Sequence, residues 1–299
     1  MSRWTFESIP DQTGRRAIVT GANTGIGYEA AKALALKGAE VTLACRSADK
    51  GREALDRLKA QDPPGGAALE SLDLADLGSV EAFADRYLQA NDKLDLLILN
   101  AGVMVPPQST TAQGFELQFG VNHLAHFALT GRLLPLLQKT DGARVVVLSS
   151  TAASFGAMDF DDLNWQSRRY VAWPAYGQSK LANQLFALEL QRRLRAAGSA
   201  VVVTAAHPGW TATDLQRTST MASLFNPIIA MKPPQGALPT LRAATDPAAE
   251  GGDYYGPDKL MQMRGYPIKV DMPKHALEAE DASRLWEVSE EMTGVRYAF

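Results

Sequence analysis

Tyr176 and Lys180 stand four residues apart in the run Tyr176-Gly-Gln-Ser-Lys180. On a helix, residues at i and i+4 share a face, so both side chains can meet one small molecule. A phenol titrates near ~10 and is a poor base at neutral pH. An ammonium held about 4 Å away favours the phenolate by up to ~4 kcal/mol at an effective dielectric of 20, or about three pKa units. That shift would bring a tyrosine into the range of general acid–base catalysis. The same spacing also fits a partly exposed Tyr and Lys on an ordinary amphipathic helix, so the reading depends on what else the chain carries.

A second chemical signal lies in Thr20-Gly-Ala-Asn-Thr-Gly-Ile-Gly27. Gly21, Gly25 and Gly27, with Asn23, Thr24 and Ile26 between them, follow an apolar strand and open a helix. Glycines let backbone approach a phosphate closely, and a helix N-terminus favours negative charge. The spacing G-x-x-x-G-x-G differs from the commoner G-x-G-x-x-G fingerprint. A tight turn without a ligand is the competing reading. At the end of the next strand the chain reads Leu43-Ala-Cys-Arg46, with no carboxylate. An acid there would hydrogen-bond ribose hydroxyls, whereas Arg46 can fork onto a 2′-phosphate. NADP(H) is therefore favoured over NAD(H). Lys50 lies close by and reads as a solvated lysine on a helix surface.

The elements that must position these groups alternate. Apolar β-rich runs fall at 16–20, 40–45, 67–72, 94–99, 143–149 and 200–206. Helical patterns fall at about 21–37, 49–60, 77–90, 115–138 and 175–196, with a final helix at 281–292. Strands apolar throughout, with helices between, imply a parallel sheet covered on both faces. Right-handed crossovers make it an α/β doubly wound sheet, a Rossmann fold. After Pro208 the pattern loosens, and 211–234 fits neither a strand nor a long helix. No composition shift marks a second domain, so residues 1–299 read as one dinucleotide-binding and catalytic domain with a small substrate lid at about 211–234.

Size and composition set outer limits. The 299 residues can bury a full α/β core. A net charge of −3 gives no reason to expect nucleic acid or an anionic membrane as partner. One Cys and four His exclude a disulfide framework, and no metal site is expected from them. No stretch reaches the ~18 apolar residues of a membrane span. A cytoplasmic protein is the expectation.

Taken together, TGANTGIG, Asp73-Leu74, Asn100-Ala-Gly102, Asn122, Ser149-Ser150, Tyr176-x-x-x-Lys180 and His207-Pro-Gly209 occur in the order and spacing of the short-chain dehydrogenase/reductase family. The chain resembles that family over nearly its whole length. Within it, LACRSADKG, VNHLAHF, DFDDLNW, AYGQSKLANQLFALEL and LWEVSEEMTG are most similar to the retinol dehydrogenase-like branch.

The resemblance implies a role for each matching position. Asp73 and Leu74 would meet the adenine edge, and Asn100, Ala101 and Gly102 would line the adenine-ribose side. Tyr176 would be the general acid/base, and Lys180 would hold the nicotinamide ribose and tune the phenol. Ser150, rather than Ser149, would bond the substrate oxygen. Asn122 would bend its helix and carry a water to Lys180. Pro208, Gly209, Thr211 and Thr213 would face the carboxamide. Two long helices, 115–138 and 175–196, pair copies in similar enzymes, which leaves a homo-oligomer open.

Two departures bear on the substrate. The segment from Ser150 to Tyr176 is longer than is usual across the wider family and carries Phe155, Phe160, Trp165, Tyr170 and Trp173. That length matches the retinol-like branch. Many relatives in that branch begin with a membrane segment, and no such stretch is present here. The expected activity is interconversion of an alcohol and a carbonyl on an apolar or medium-sized small molecule. A C=C reductase and a non-enzymatic cofactor sensor on the same fold are the alternatives. The aromatic insertion and residues 221–229 are candidates for an apolar lid.

Overall fold

In the computed structural model, residues 3–211 and 230–299 are described. The strand Arg16–Thr20 (β1) is β-branched at its centre and buried after its first residue. Its alternating side chains feed opposite faces of the sheet: Ile18 joins one core, Ala17 and Val19 the other. The helix Gly25–Leu36 (α1) buries a run of small residues, Ala30, Ala31, Ala33 and Ala35, which lets it lie close on the sheet. Glu40–Cys45 (β2), Ala48–Lys59 (α2), Ala67–Ser71 (β3), Leu77–Ala90 (α3) and Leu96–Leu99 (β4) complete the first half. Ser47 caps α2 by accepting from the Lys50 N–H, and Asp76 caps α3 by accepting from the Gly78 N–H.

The second half contributes Ala125–Gln138 (α4), Arg144–Leu148 (β5), Ala172–Ala196 (α5), Val202–Ala206 (β6), Leu238–Thr245 (α6), Tyr254–Lys259 (β7), Arg264–Lys269 (β8) and Ala279–Thr293 (α7). The eight strands form one sheet in the order β3-β2-β1-β4-β5-β6-β7-β8. All neighbours are parallel except β7 and β8. The chain runs outward from β1 to β3 and then returns to place β4 against β1. That reversal opens a crevice above the C-terminal strand ends, where doubly wound sheets bind ligands. The expected Rossmann fold is present.

Three points about the elements differ from expectation. The helix expected over 115–138 is interrupted. A short turn at Leu117–Phe119 is capped by the Glu116 carboxylate and widens into a π turn at Gly120–Leu124, where the Ala125 N–H reaches Gly120 O. The cause is visible at Asn122, whose side chain bonds outside its own helix. β3 is not apolar throughout; it is the sheet edge and only partly buried. The third is an addition, to a stretch after Pro208 where no element was assigned: the β7–β8 hairpin together with α6. Each strand of the hairpin holds a Gly and a Pro, which read as breakers. Pro is tolerated because β8 is the other edge, and Pro257 lies opposite Pro267.

α7 closes the molecule over α5. Trp286 is 2% exposed and its ring packs 5.0 Å from Phe127, 6.1 Å from Phe186 and 4.5 Å from Tyr297. α5 is consequently buried without a break from Ala175 to Ala187 rather than along one face. Among the described residues, no helix is long and apolar enough to cross a membrane.

Candidate active site

Above β1 and β4 lies a cleft of about 370 Å3 walled by the glycine loop. Gly21, Asn23, Thr24, Gly25, Ile26 and Gly27 form one side; Asn100, Ala101, Gly102, Tyr176, Lys180 and Pro208 form the other. The loop must be glycine here. Gly21 has φ +67 and Gly25 φ +58. A Cβ on Gly27 would stand 2.4 Å from Asn100 Nδ2 and 2.5 Å from Gly21 O. The Asn100 amide donates to Thr20 O at 2.8 Å, and the Thr20 hydroxyl accepts from the Ala101 N–H at 2.9 Å, so the ends of β1 and β4 are tied together. The Arg57 guanidinium donates to Asn23 O and stacks on Tyr28, which braces the loop from behind.

A cavity of about 160 Å3 shares Gly21, Asn23, Ala101 and Gly102 with this cleft and continues to Arg46, Asp73 and Leu74. Asp73 Oδ1 accepts from the Ala75 N–H, which fixes its carboxylate at the strand end. Lys50, expected to be merely solvated, lines the main cleft.

At the other end the four groups expected to do chemistry lie close together. Ser150 lies beside Tyr176 on the wall of a neighbouring cavity, close enough for its hydroxyl to act on the phenol. Lys180 Nζ lies 5.8 Å from the Tyr176 ring centroid and donates to Leu148 O at 3.3 Å. Asn122 sits behind Gly102, not on the cleft wall: its Oδ1 accepts from the Val103 N–H, and its Nδ2 donates to Val103 O and Ser179 Oγ. A Cβ on Gly102 would meet Asn122 Oδ1 at 3.0 Å and Lys180 Nζ at 3.5 Å, so Gly102 is the spacer between them. Ser149 turns away, its hydroxyl donating to Lys180 O. Geometry thus separates the two serines where spacing alone did not.

The electrostatics differ from the expectation. Tyr176 is not lowered by Lys180. Burial pushes the phenol up to about 12, opposed by the neighbouring Ser150 hydroxyl. Burial lowers the Lys180 ammonium to about 8. Both groups resist charge for the same reason, desolvation, and the ammonium is turned toward a backbone carbonyl.

A third cavity, about 180 Å3, shares Ile26, Ser149, Tyr176 and Pro208 with the cleft. Gly209, Thr211, Met104, Phe155, Trp173 and Trp210 add to its walls, and among the described residues no charged side chain lines it. Of the aromatic insertion, Phe155 and Trp173 reach this cavity. Trp165 and Tyr170 instead pack on each other, with Arg168 stacked on Trp165 and the Tyr170 hydroxyl bonding Glu116. Thr213 and the expected lid residues 221–229 lie outside the described residues. Sequence reasoning missed Met104 and Trp210. Neither carries a pattern signal; strand order brings them to the site. His123, His126 and His207 are all buried and held neutral, burial lowering them to about 3, 4 and 4. Among the described residues no group of His, Cys, Asp or Glu could hold a metal ion.

The cleft suits a dinucleotide. Its glycine loop brings bare main chain to the cleft, a helix N-terminus faces it, and its charged lining, Lys50 and Lys180, is cationic. The model of the short chain dehydrogenase family matches residues 15–223. Mouse retinol dehydrogenase 12 is 41% identical over 95% of this chain and 88% of its own length. The crystal structure of an uncharacterised protein from Mycobacterium paratuberculosis matches all of both chains at 40% identity, TM-score 0.84. The active-site complex of Pseudomonas aeruginosa RhlG with NADP matches 85% of this chain and 96% of that one at 25% identity, TM-score 0.65. The chain belongs to the short-chain dehydrogenase/reductase family and is similar to its retinol dehydrogenases. It is an oxidoreductase of that family.

Proposed function

We propose that this protein interconverts an alcohol and a carbonyl on an apolar or medium-sized substrate with NADP(H), Tyr176 acting as general acid/base. The observation that carries the reading is the place of Tyr176 in the wall shared by a cleft lined by Lys50 and Lys180 and an aromatic cavity, with Ser150 beside it on the cavity side. Ser150 and Tyr176 are donors that would meet the charge developing on a substrate oxygen. The phenol, raised by burial, keeps its proton at neutral pH, which suits delivery to a carbonyl oxygen. When bound, a nicotinamide supplies the hydride and, in its oxidised form, a positive charge that favours the phenolate.

Lys180 would hold the ribose and pass a proton on to solvent. Asn122 would keep Gly102 and Val103 at the spacing this relay needs. Glycine-loop amides would hold the pyrophosphate, Asp73 and Leu74 the adenine, Asn100 and Ala101 its ribose, and Pro208, Gly209 and Thr211 the carboxamide side. Arg46, with Lys50 nearby, would select the 2′-phosphate. The NADP bound to RhlG and the apolar alcohol in the name of mouse retinol dehydrogenase 12 are consistent with this reading.

The test is a panel of ketones, aldehydes and alcohols assayed with NADPH and NADH side by side, with product analysis. An alcohol formed from a carbonyl with NADPH is expected. A saturated carbonyl product would reassign the reaction to C=C reduction, and absence of turnover across the panel would remove the enzymatic reading.

A further inference from the structure

The corner at Pro208–Gly209 is pressed against the turn between β7 and β8. Gly209 has φ +60, and a Cβ there would stand 2.5 Å from Met263 O and 2.9 Å from Gln262 O. The Trp210 N–H donates to Met263 O at 2.7 Å, and the His207 N–H to Tyr255 O at 3.0 Å. Between corner and turn lies the His207 ring, which is fully buried. The Gly209 N–H donates to His207 Nδ1 at 3.3 Å, so Nδ1 is unprotonated and Nε2 carries the proton. Nε2–H then donates to Gln262 Oε1 at 2.9 Å. One tautomer satisfies both partners. The strand opposite is bare to admit the ring: a Cβ on Gly256 would stand 2.0 Å from Nε2.

The turn itself is held in an unfavourable form. Leu260, Met261 and Gln262 have φ of 49, 50 and 63, three consecutive left-handed residues that all bear side chains. Relaxing any of them would move Gln262 Oε1 and Met263 O, the two acceptors that face the corner. Strain kept at such a place points to a positioning task. The hairpin also lies beyond residue 223, where the match to the family model ends.

We propose that the β7–β8 turn sets the position of the Pro208–Gly209 corner in the cofactor cleft, with Gln262 as a positioning residue acting through His207. This inference rests on the cofactor reading of the cleft. Pro208 faces the main cleft, and Gly209 to Thr211 face the aromatic cavity, so the turn fixes both the nicotinamide end of the cleft and one wall of the substrate site. Titratable groups near the imidazole are few. The Tyr254 ring lies 5.2 Å away, and Asp258 and Lys259 on the hairpin are exposed.

Gln262→Leu removes the acceptor at similar bulk, and Gln262→Glu replaces it with a carboxylate that favours the doubly protonated ring. In that ring Nδ1–H opposes the Gly209 N–H. The experiment measures NADPH binding by the full chain at pH 6 and pH 8, alongside amide hydrogen exchange of residues 209–211 without ligand. Gln262→Leu should weaken binding roughly three- to tenfold at both pH values and speed exchange at Gly209 and Trp210. Gln262→Glu should, relative to the parent, lose more at pH 6 than at pH 8. Parental exchange at 209–211 in a folded Gln262→Leu protein would overturn the proposal. If the parent itself fails to bind NADPH, the cofactor reading falls, while exchange still decides whether the turn governs the corner.

Discussion

On the glycine-loop side of the cleft, proposed to hold the nucleotide, bare backbone packs on the neighbouring strand end. Gly21 and Gly27 lie against Asn100 and Ala101, and the Asn100 amide and Thr20 hydroxyl lock the ends of β1 and β4. On the side proposed for the nicotinamide, the holding side chains come from more distant segments. His207 bonds Gln262, which lies 55 residues further along the chain, and Ser149 and Asn183 tie α5 to β5 and its flanking turn. The first arrangement depends on the absence of side chains at these glycines, the second on specific side chains supplied from distant segments. A glycine loop can therefore serve any dinucleotide, whereas the other wall can be reshaped by changes far away in sequence.

The largest expected effect falls where the two sides meet. Tyr176→Phe should lower kcat by about 10²- to 10⁴-fold while leaving NADPH binding in place. Fluorescence titration and steady-state rates separate the two quantities. Full activity would remove Tyr176 from the mechanism and with it the functional link between the sides.

Acid should weaken both sides together. His126, which bridges Thr20 and Asn122 O, belongs to the nucleotide side; His207 belongs to the other. Each is held neutral, near 4 in the fold against about 6.5 unfolded. Between these values the unfolded chain binds more protons, so stability is full above about pH 6.5 and falls as pH drops toward 4, by up to about 3 kcal/mol per histidine. Urea midpoints at pH 7, 5.5 and 4.5 measure this. A flat profile would show that neither ring is buried neutral.

Arg46→Glu acts on one side only. It should raise the Michaelis constant for NADPH by about ten- to a hundredfold, corresponding to ~1.5–3 kcal/mol for a lost charge-assisted contact, and spare NADH. Equal effects on the two cofactors would place Arg46 away from the 2′-phosphate.

The contrast also explains what could be read in advance. Strands β1, β2, β4, β5 and β6 announced themselves because each is a short apolar run, and the glycine loop because its demands are local. The positions of Arg46, Asp73 and Asn100 followed from lying at strand ends. What failed was long-range. The π turn at Asn122 depends on Val103 and Ser179, and no periodicity around 122 reports them. The phenol was expected to be lowered by Lys180, but spacing says nothing about desolvation, which dominates both groups. Tyr254–Lys259 and Arg264–Lys269 went unassigned, since Gly256, Pro257, Gly265 and Pro267 look like breakers until His207 is placed beside them.

The smallest effect tests how tightly the second side is held. Met261 is 85% exposed with φ 50, so its side chain gains little from packing while its backbone is left-handed. That conformation costs an ordinary residue about 1–2 kcal/mol, and glycine is spared it. Glycine loses more freedom on folding, about 0.5–1 kcal/mol. The balance favours Met261→Gly by roughly 0.5–1 kcal/mol, a rise of about 1–4 °C in Tm. The gain should come without loss of NADPH affinity if Gln262 and Met263 stay in place. A higher Tm with weaker binding would mean that the strain itself presses the corner into the cleft. An unchanged Tm would mean that the turn is relaxed in solution, and the two sides of the cleft would then be held less differently than their geometry implies.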